Sequence, residues 1–459
     1  MSKCARRHRQ SMLAGPLFAF LLSLSPVNEA LATTNAPFMP LRIDGVWAGT
    51  RVAFSAIQSG SKIYVGYYDA DRYLSVAQID LTDGSIKKQQ LNSRFAGWDA
   101  HNYVALAIDG NGLVHVSGNE HGTPLVYARM RTVGDVSTVA VERTLTGSDE
   151  SRVTYPAFLK TKDGTLYFVY RQGGSGNGNH IIDRFDGTQW RRLFNTPLFA
   201  SGSRADSSSA YPTVFERDSK GVFHVAWVWR KSPDARTNFN VSYARSSDLV
   251  NWFNVRGTRV KLPLTPSSET LVDRVPTQAG LFNNVKLGFG LHGEPIISYQ
   301  KYDADGHSQI FHASLKGTHW RIGPVTHWSQ RWEFAGTDSI DAKITFSGVS
   351  RTGHMLTETF YSLWHGTQTY AFDASGMNAT RIFAATPWKA AVPVPSFPAP
   401  FRFTRASVAD NGGSPPSYSL VWGSLPPNNH DRPRDCQAAG SSAGCRFVSD
   451  LYLVPNGDR

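Results

Sequence analysis

His101 and His121 stand at either end of the stretch GWDAHNYVALAIDGNGLVHVSGNEHG, residues 97–122, with His115 between them. Imidazole takes or gives a proton near neutral pH, so two outer histidines held together could serve one reaction. The chain that follows supplies Tyr155, Tyr170, Tyr211 and Tyr243, then Arg171, Arg184 and Arg230, and beyond them Asn238, Asn283, Asn284 and Lys301. Carboxylates are scarce in this set, and the paired acids of most glycosidases do not stand out. His and Tyr as base and acid, with Arg gripping an anionic group through parallel hydrogen bonds, suit β-elimination from a uronic acid. A donor holds the C6 carboxylate, a base removes the C5 proton and an acid protonates the departing O4. No cofactor is required for that chemistry.

Residues so far apart in sequence can meet only if strands bring them to a common edge. A glycine turn followed by a strand of alternating character recurs at Gly60, Gly112, Gly164, Gly221, Gly293 and Gly353, about 50 to 70 residues apart, the spacing of four-stranded propeller blades. Most of these turns follow an earlier strand (YVALAID, TYPAFLK, YPTVFE, VKLGFG) and precede a third (PLVYAR, IIDRF, NVSYAR, QIFHAS), and a fourth often holds Trp. Helical periodicity with caps is almost absent. The pattern predicts an all-β fold, a seven-bladed β-propeller of four-stranded antiparallel blades, with the last blade near FRFTRASV and CRFVSDLYLVP closing against the N-terminal strand near VWAGTRVAFS.

In such a blade the start of the first strand, the end of the second and the start of the third share one edge. That rule puts His101 and His121 on one face and leaves His115 packed in mid-strand. Tyr155, Tyr170, Arg171 and the loop GGSGNGN join the same edge, with Arg184 shortly into the third strand. The next blades add Tyr211, Arg230, Asn238 and Tyr243, then Asn283 and Lys301. Trp227 and Trp229 read as blade packing. GGSGNGN lacks the helix and GK[ST] of a phosphate loop and reads as a tight loop that lets the chain approach the pocket. DADG at Asp303–Gly306 reads as a turn, since it lacks the remaining ligands of a calcium loop.

The first 32 residues have a basic start, an apolar run from Met12 to Leu24 and small residues at Ala30 and Ala32, which predicts a leader cut after Ala32 and a secreted or periplasmic product. Residues 33–459 are expected to form one catalytic propeller domain whose stretch 385–459 is rich in loops. No other run is long enough for a membrane span. The chain carries a net charge of +11, and removing a leader containing Lys3, Arg6, Arg7 and Arg9 leaves it basic. That balance favours acidic polysaccharide partners. The bases are scattered, without the runs of nucleic-acid-binding tails, so neither nucleic acid nor membrane is expected as a partner. Cys436 and Cys445 would form one local disulfide after export.

The segments GWDAHNYVALAIDGNGLVHVSGNEH, TYPAFLK, VYRQGGSGNGN, VAWVWRKSPDARTNFNVSYARS, NNVKLGFG and YQKYDADGHSQIFHA resemble the BNR-repeat family of secreted propellers that includes ulvan lyases and related uronate-cleaving polysaccharide lyases. The likeness covers about residues 45 to 345. It implies a lyase acting on a sulfated, ulvan-like uronate polymer as a monomer, with His101 and His121 as the catalytic histidines and Arg184 neutralising the carboxylate. The tyrosine stays open between Tyr170 and Tyr211, with Tyr167 a third choice. Within HWSQRWEFAGTDSI, the resemblance makes Arg331 a substrate contact. Several such lyases bind a structural metal ion, calcium or zinc, whose ligands the sequence does not assign. An exo-acting, rhamnosidase-like hydrolase and a non-catalytic acidic-glycan binder are the rival readings.

Overall fold

Each glycine that marks the repeat closes a hairpin: Gly60, Gly112, Gly164, Gly221, Gly293 and Gly353 all have φ between +58° and +91°, a region that costs little only without a Cβ. The computed structural model describes residues 40–202, 207–267, 269–384, 392, 402–435 and 446–456. The expected leader and the expected Cys436–Cys445 pairing fall outside the described residues.

Among the described residues the strands form seven sheets of four or five strands. The second, for example, runs Ala105–Ile108, Val114–Ser117, Tyr127–Arg129 and Ala140–Glu142, all antiparallel. The third adds to its own four strands the short strand His121–Thr123, which leaves the second sheet and pairs with Val153–Lys160. The seventh joins the two ends of the described chain: Leu41–Trp47 pairs with Val448–Pro455, which continues to Tyr418–Ser424 and Arg402–Ser407. Helix is confined, among the described residues, to three short 3-10 turns.

Alternation along the strands puts apolar side chains on faces that meet those of the neighbouring sheet. One buried cluster unites residues of the seventh, first and second sheets, including Trp422, Tyr68 and Val116. Others join the second to the third, the third to the fourth, the fourth to the fifth and the fifth to the sixth. Trp227 and Trp229 are fully buried in one of these, between packed sheets. Each such side chain contributes roughly 1.5–3 kcal/mol over leaving it exposed. His115 is also fully buried: its Nδ1 lies 2.7 Å from the Tyr127 hydroxyl, which accepts from Trp190 Nε1 in the next sheet at 3.0 Å. Burial lowers the His115 imidazole, against the opposing pull of Asp109.

Candidate active site

His101 and His121 meet. Their rings stack with centroids 4.3 Å apart and planes 27° from parallel. Asp99, two positions before His101, holds both: its Oδ1 lies 2.6 Å from His101 Nδ1 and its Oδ2 receives His121 Nδ1. Burial would raise this carboxyl, but the hydrogen bonds and charges of the two imidazoles hold it well below the usual carboxylate range. A carboxylate can only accept, so each Nδ1 carries its hydrogen, and in the neutral form of either ring Nε2 is the nitrogen with a lone pair for a base.

Beside the histidines stand four residues of the third and fourth sheets, Tyr155, Arg171, Tyr211 and Arg230. Tyr155 has φ +61°, rare for a bulky residue. It lies in an irregular stretch of Val153–Lys160, where the pairing shifts between Thr154 and Ala157. Its ring lies 6.0 Å from that of His101 and 6.2 Å from that of Tyr211, edge-on to both. Burial pushes the phenol up to about 12, against the pull of the Arg171 guanidinium. Strain of this kind costs roughly 1–3 kcal/mol and gathers where geometry serves function.

Arg171 is 2% exposed and Arg230 7%. Arg171 sits 4.8 Å from the Tyr155 ring centroid and donates to Tyr211 and to Thr154. Arg230 lies 4.2 Å from the Tyr211 ring, with Nε on Asn238 Oδ1 at 2.8 Å and Nη2 on Asn283 Oδ1 at 2.5 Å. Among the described residues neither guanidinium has a carboxylate oxygen within 4.0 Å. Two buried cations held only by neutral acceptors are expensive unless an anion joins them.

These groups line one cavity of about 540 Å³. The GGSGNGN loop forms part of its wall and places Ser175 Oγ 2.5 Å from the Tyr211 hydroxyl. A Cβ on Gly176 would stand 2.7 Å from the Ser232 backbone, and one on Gly178 would stand 2.6 Å from Arg171; only glycine permits so close an approach. The segment Thr337–Ile340 lines another side. Ser339 Oγ is 3.5 Å from His101 Nδ1, and its amide donates to Asp431 Oδ2 at 3.1 Å.

Of the residues expected from sequence, His101, His121, Arg171, Tyr211, Arg230 and Asn283 line this cavity, and Asn238 stands behind Arg230. Five others are not brought there. Arg184 is five residues into the strand Asn179–Phe185, which at about 3.3 Å per residue carries it toward the opposite end of the sheet. It borders a separate cavity with Asp109, Asp163 and Asp186, and Tyr167 is its cross-strand neighbour. Tyr170 directly precedes Arg171, so alternation turns it to the other face, where it is fully buried against Val153 and Phe168. Tyr243 lies in mid-strand with its hydroxyl 2.5 Å from His224 Nδ1. Lys301 is tied to Asp273 at 2.6 Å. Arg331 lies 3.8 Å over the ring of Tyr302, pairs with Glu333 and lines a second cavity of about 310 Å³ with Arg236.

Sequence reasoning put Tyr155 on this face without a role and passed over Asp99, Ser175 and Ser339. The available signal for Asp99 was its place two residues before His101, where its carboxylate also accepts the His101 amide at 2.8 Å. Nothing local marks Ser339.

Among the described residues, two groups of three His and Asp side chains bring ligand-type atoms within 4.8 Å of one another: Asp99, His101 and His121, and Asp303, Asp305 and His307. Neither fits a structural calcium or zinc ion. The first offers three ligands where structural zinc takes four, and both Asp99 oxygens are occupied by imidazole nitrogens. In the second, Asp303 Oδ1 accepts the amides of Asp305 and His307 and its Oδ2 accepts Gln309, leaving too few oxygens for calcium.

Residues 62–328 match the model described as a BNR repeat-containing family member. A curated ulvan lyase, long isoform, from Alteromonas sp is 29% identical over 131 residues, 27% of this chain and 13% of that relative's length. The crystal structure of the polysaccharide lyase Uly1 has a similar fold, with TM-score 0.59 at 14% identity, over 91% of this chain and 97% of that one. An ulvan lyase bound to -[GlcA(1-4)Rha3S]- gives TM-score 0.58, also at 14% identity, over 90% and 95%.

Proposed function

The chain belongs to the BNR repeat-containing family, and from that premise we propose that it is an exported polysaccharide lyase that cleaves an ulvan-like, uronate-containing polymer by β-elimination. The observation that carries this reading is one cavity joining an Asp99-anchored histidine pair, Tyr155 and two buried arginines that have no carboxylate partner among the described residues. Relatives named as ulvan lyases support the substrate class. The seven serially packed sheets, with the chain ends joined in the last, support a seven-bladed propeller.

In this reading Arg171 and Arg230 bind the C6 carboxylate and draw charge from C5. Nε2 of His101 removes the C5 proton, and the C–H electron pair forms the C4–C5 double bond as the C4–O4 bond breaks. Tyr155, held protonated at neutral pH, delivers its proton to O4. The proton on His101 then returns to Tyr155, directly or through water. His121 shares Asp99 and fixes the orientation of the pair. Arg331 and Tyr302 offer a contact for a sugar farther along the chain. A hydrolase fits less well: Asp338 is the single carboxylate among the described residues lining the cavity, where hydrolysis calls for two.

Incubation with ulvan tests the proposal. New ultraviolet absorbance from an enoate conjugated to the carboxylate is expected. New reducing ends without that absorbance would point to hydrolysis, and binding without products to a glycan-binding protein.

A further inference from the structure

The strands that carry the histidine pocket at one end carry a larger cavity at the other. Its volume is about 860 Å³, and its lining includes the hairpin turns at Gly110, Gly164 and Asp410–Gly413. We propose that this cavity is a second binding site, for the anionic group of an acidic sugar, independent of the site where the reaction is placed.

Three cations border it: Lys160, Lys162 and Arg217. Lys160 Nζ is half-buried and donates to Ile108 O at 3.0 Å and Asn411 Oδ1 at 2.8 Å. Both acceptors are neutral, and an ammonium has three N–H bonds, so one remains. Burial lowers this amine from its ordinary value, with Asp109 opposing and Arg217 adding to the effect. Lys162 Nζ donates to Ser219 O and Arg217 Nη1 to Lys160 O, each at 2.9 Å. Among the described residues no carboxylate oxygen lies within 4.0 Å of any of the three.

Three carboxylates, Asp163, Asp218 and Asp410, line the same cavity, and each is held by backbone amides through one oxygen. Asp163 Oδ1 accepts the Thr165 amide, Asp218 Oδ1 those of Lys220 and Val222, and Asp410 Oδ1 those of Gly412 and Ser414. An incoming carboxylate or sulfate could therefore form charge-assisted hydrogen bonds without displacing an existing ion pair. Ile57, Leu106 and Phe158 are partly exposed in the same lining. Such a surface accepts the C–H face of a pyranose ring. An anionic edge and an apolar face together describe a uronate or a sulfated sugar.

Lysine methylation in the intact protein, read by mass spectrometry, tests this with four probes: D-glucuronate, galactose 6-sulfate, glucose and inorganic sulfate. Either acidic sugar is expected to slow modification of Lys160 and Lys162 about tenfold or more, as one charged hydrogen bond allows, and to leave Lys261 unchanged. Calorimetry on the Arg171→Met, Arg230→Met double variant, whose histidine-side pocket is disabled, should still show saturable binding of the protecting sugar. Adding Lys160→Met and Arg217→Ala should abolish it. Absence of protection at Lys160, equal protection by glucose, or protection by inorganic sulfate as strong as by both acidic sugars would each overturn the proposal. So would binding lost in the double variant. Lyase activity does not enter any of these readings.

Discussion

One carboxylate serves two imidazoles: Asp99 takes His101 Nδ1 on one oxygen and His121 Nδ1 on the other, and the two rings stack at 4.3 Å. The arrangement fixes both tautomers at once. Replacing Asp99 by Asn puts an amide N–H against one ring, whose Nδ1 must then accept and whose Nε2 must carry the hydrogen. Asp99→Asn is expected to lower kcat by about 100-fold or more while KM changes little. Initial rates of enoate formation check this, and a rate near that of the parent protein would remove Asp99 from the mechanism.

Tyr155 and Tyr170, one of the two tyrosines the sequence left open, differ in whether they line the cavity. Tyr155→Phe keeps the ring beside Arg171 and removes only the hydroxyl, so turnover should fall about 10²- to 10⁴-fold. Tyr170→Phe and Arg184→Ala should leave it within about threefold, because neither side chain reaches the cavity. Parallel rate measurements on the three variants decide between them.

Among the described residues Arg171 has no carboxylate oxygen within 4.0 Å. Arg171→Met should lower kcat/KM about 10- to 100-fold by removing charged hydrogen bonds to the carboxylate. The same change should leave Tm equal or higher, since it relieves an uncompensated buried charge. A drop in Tm measured by calorimetry would show that the guanidinium stabilises the fold instead.

Glu120 is 1% exposed, and burial pushes its carboxyl up to about 8, against hydrogen bonds from Val126 N and Ser117. The unfolded chain releases this proton near the ordinary 4.5, and the folded chain holds it until about 8. The stability tied to that proton is fully present below the unfolded value and is lost as pH rises through the folded one. Unfolding free energies from denaturant titrations should therefore fall between pH 4.5 and 8 by up to about 1.4 kcal/mol per pH unit. Glu120→Gln should flatten that slope; an unchanged slope would assign it to other groups.

Tyr127 joins His115 in its own sheet to Trp190 in the next. Tyr127→Phe leaves two buried nitrogens without their shared partner and should cost about 1–3 kcal/mol. Urea unfolding measures the loss, and an undiminished midpoint would mean the network contributes nothing net.

The repeat was legible in the sequence because its signals are local. A glycine at positive φ closes each hairpin, and period-two alternation on either side fixes which face is apolar. The pairing of the two chain ends was legible for the same reason, since a strand-like run near each terminus lacked another partner. His101, His121, Arg171, Tyr211, Arg230 and Asn283 were found by asking which strand ends share an edge.

That rule failed in two ways. It does not count distance along a strand, so Arg184, counted near an edge, lies toward the far end. It does not assign faces, so Tyr170 stood as a candidate beside Tyr211, whereas Tyr211 and Arg171 line the cavity and Tyr170 does not. Tyr155 lines the cavity from an irregular pairing and a positive φ that its residue type does not announce. By itself, then, the sequence determined the strands, their turns and the edge on which polar groups collect, all of which follow from short-range backbone and side-chain preferences. Tertiary structure decided which of those groups meet, because a one-residue shift in register reverses every side chain and only the packed sheets set the register.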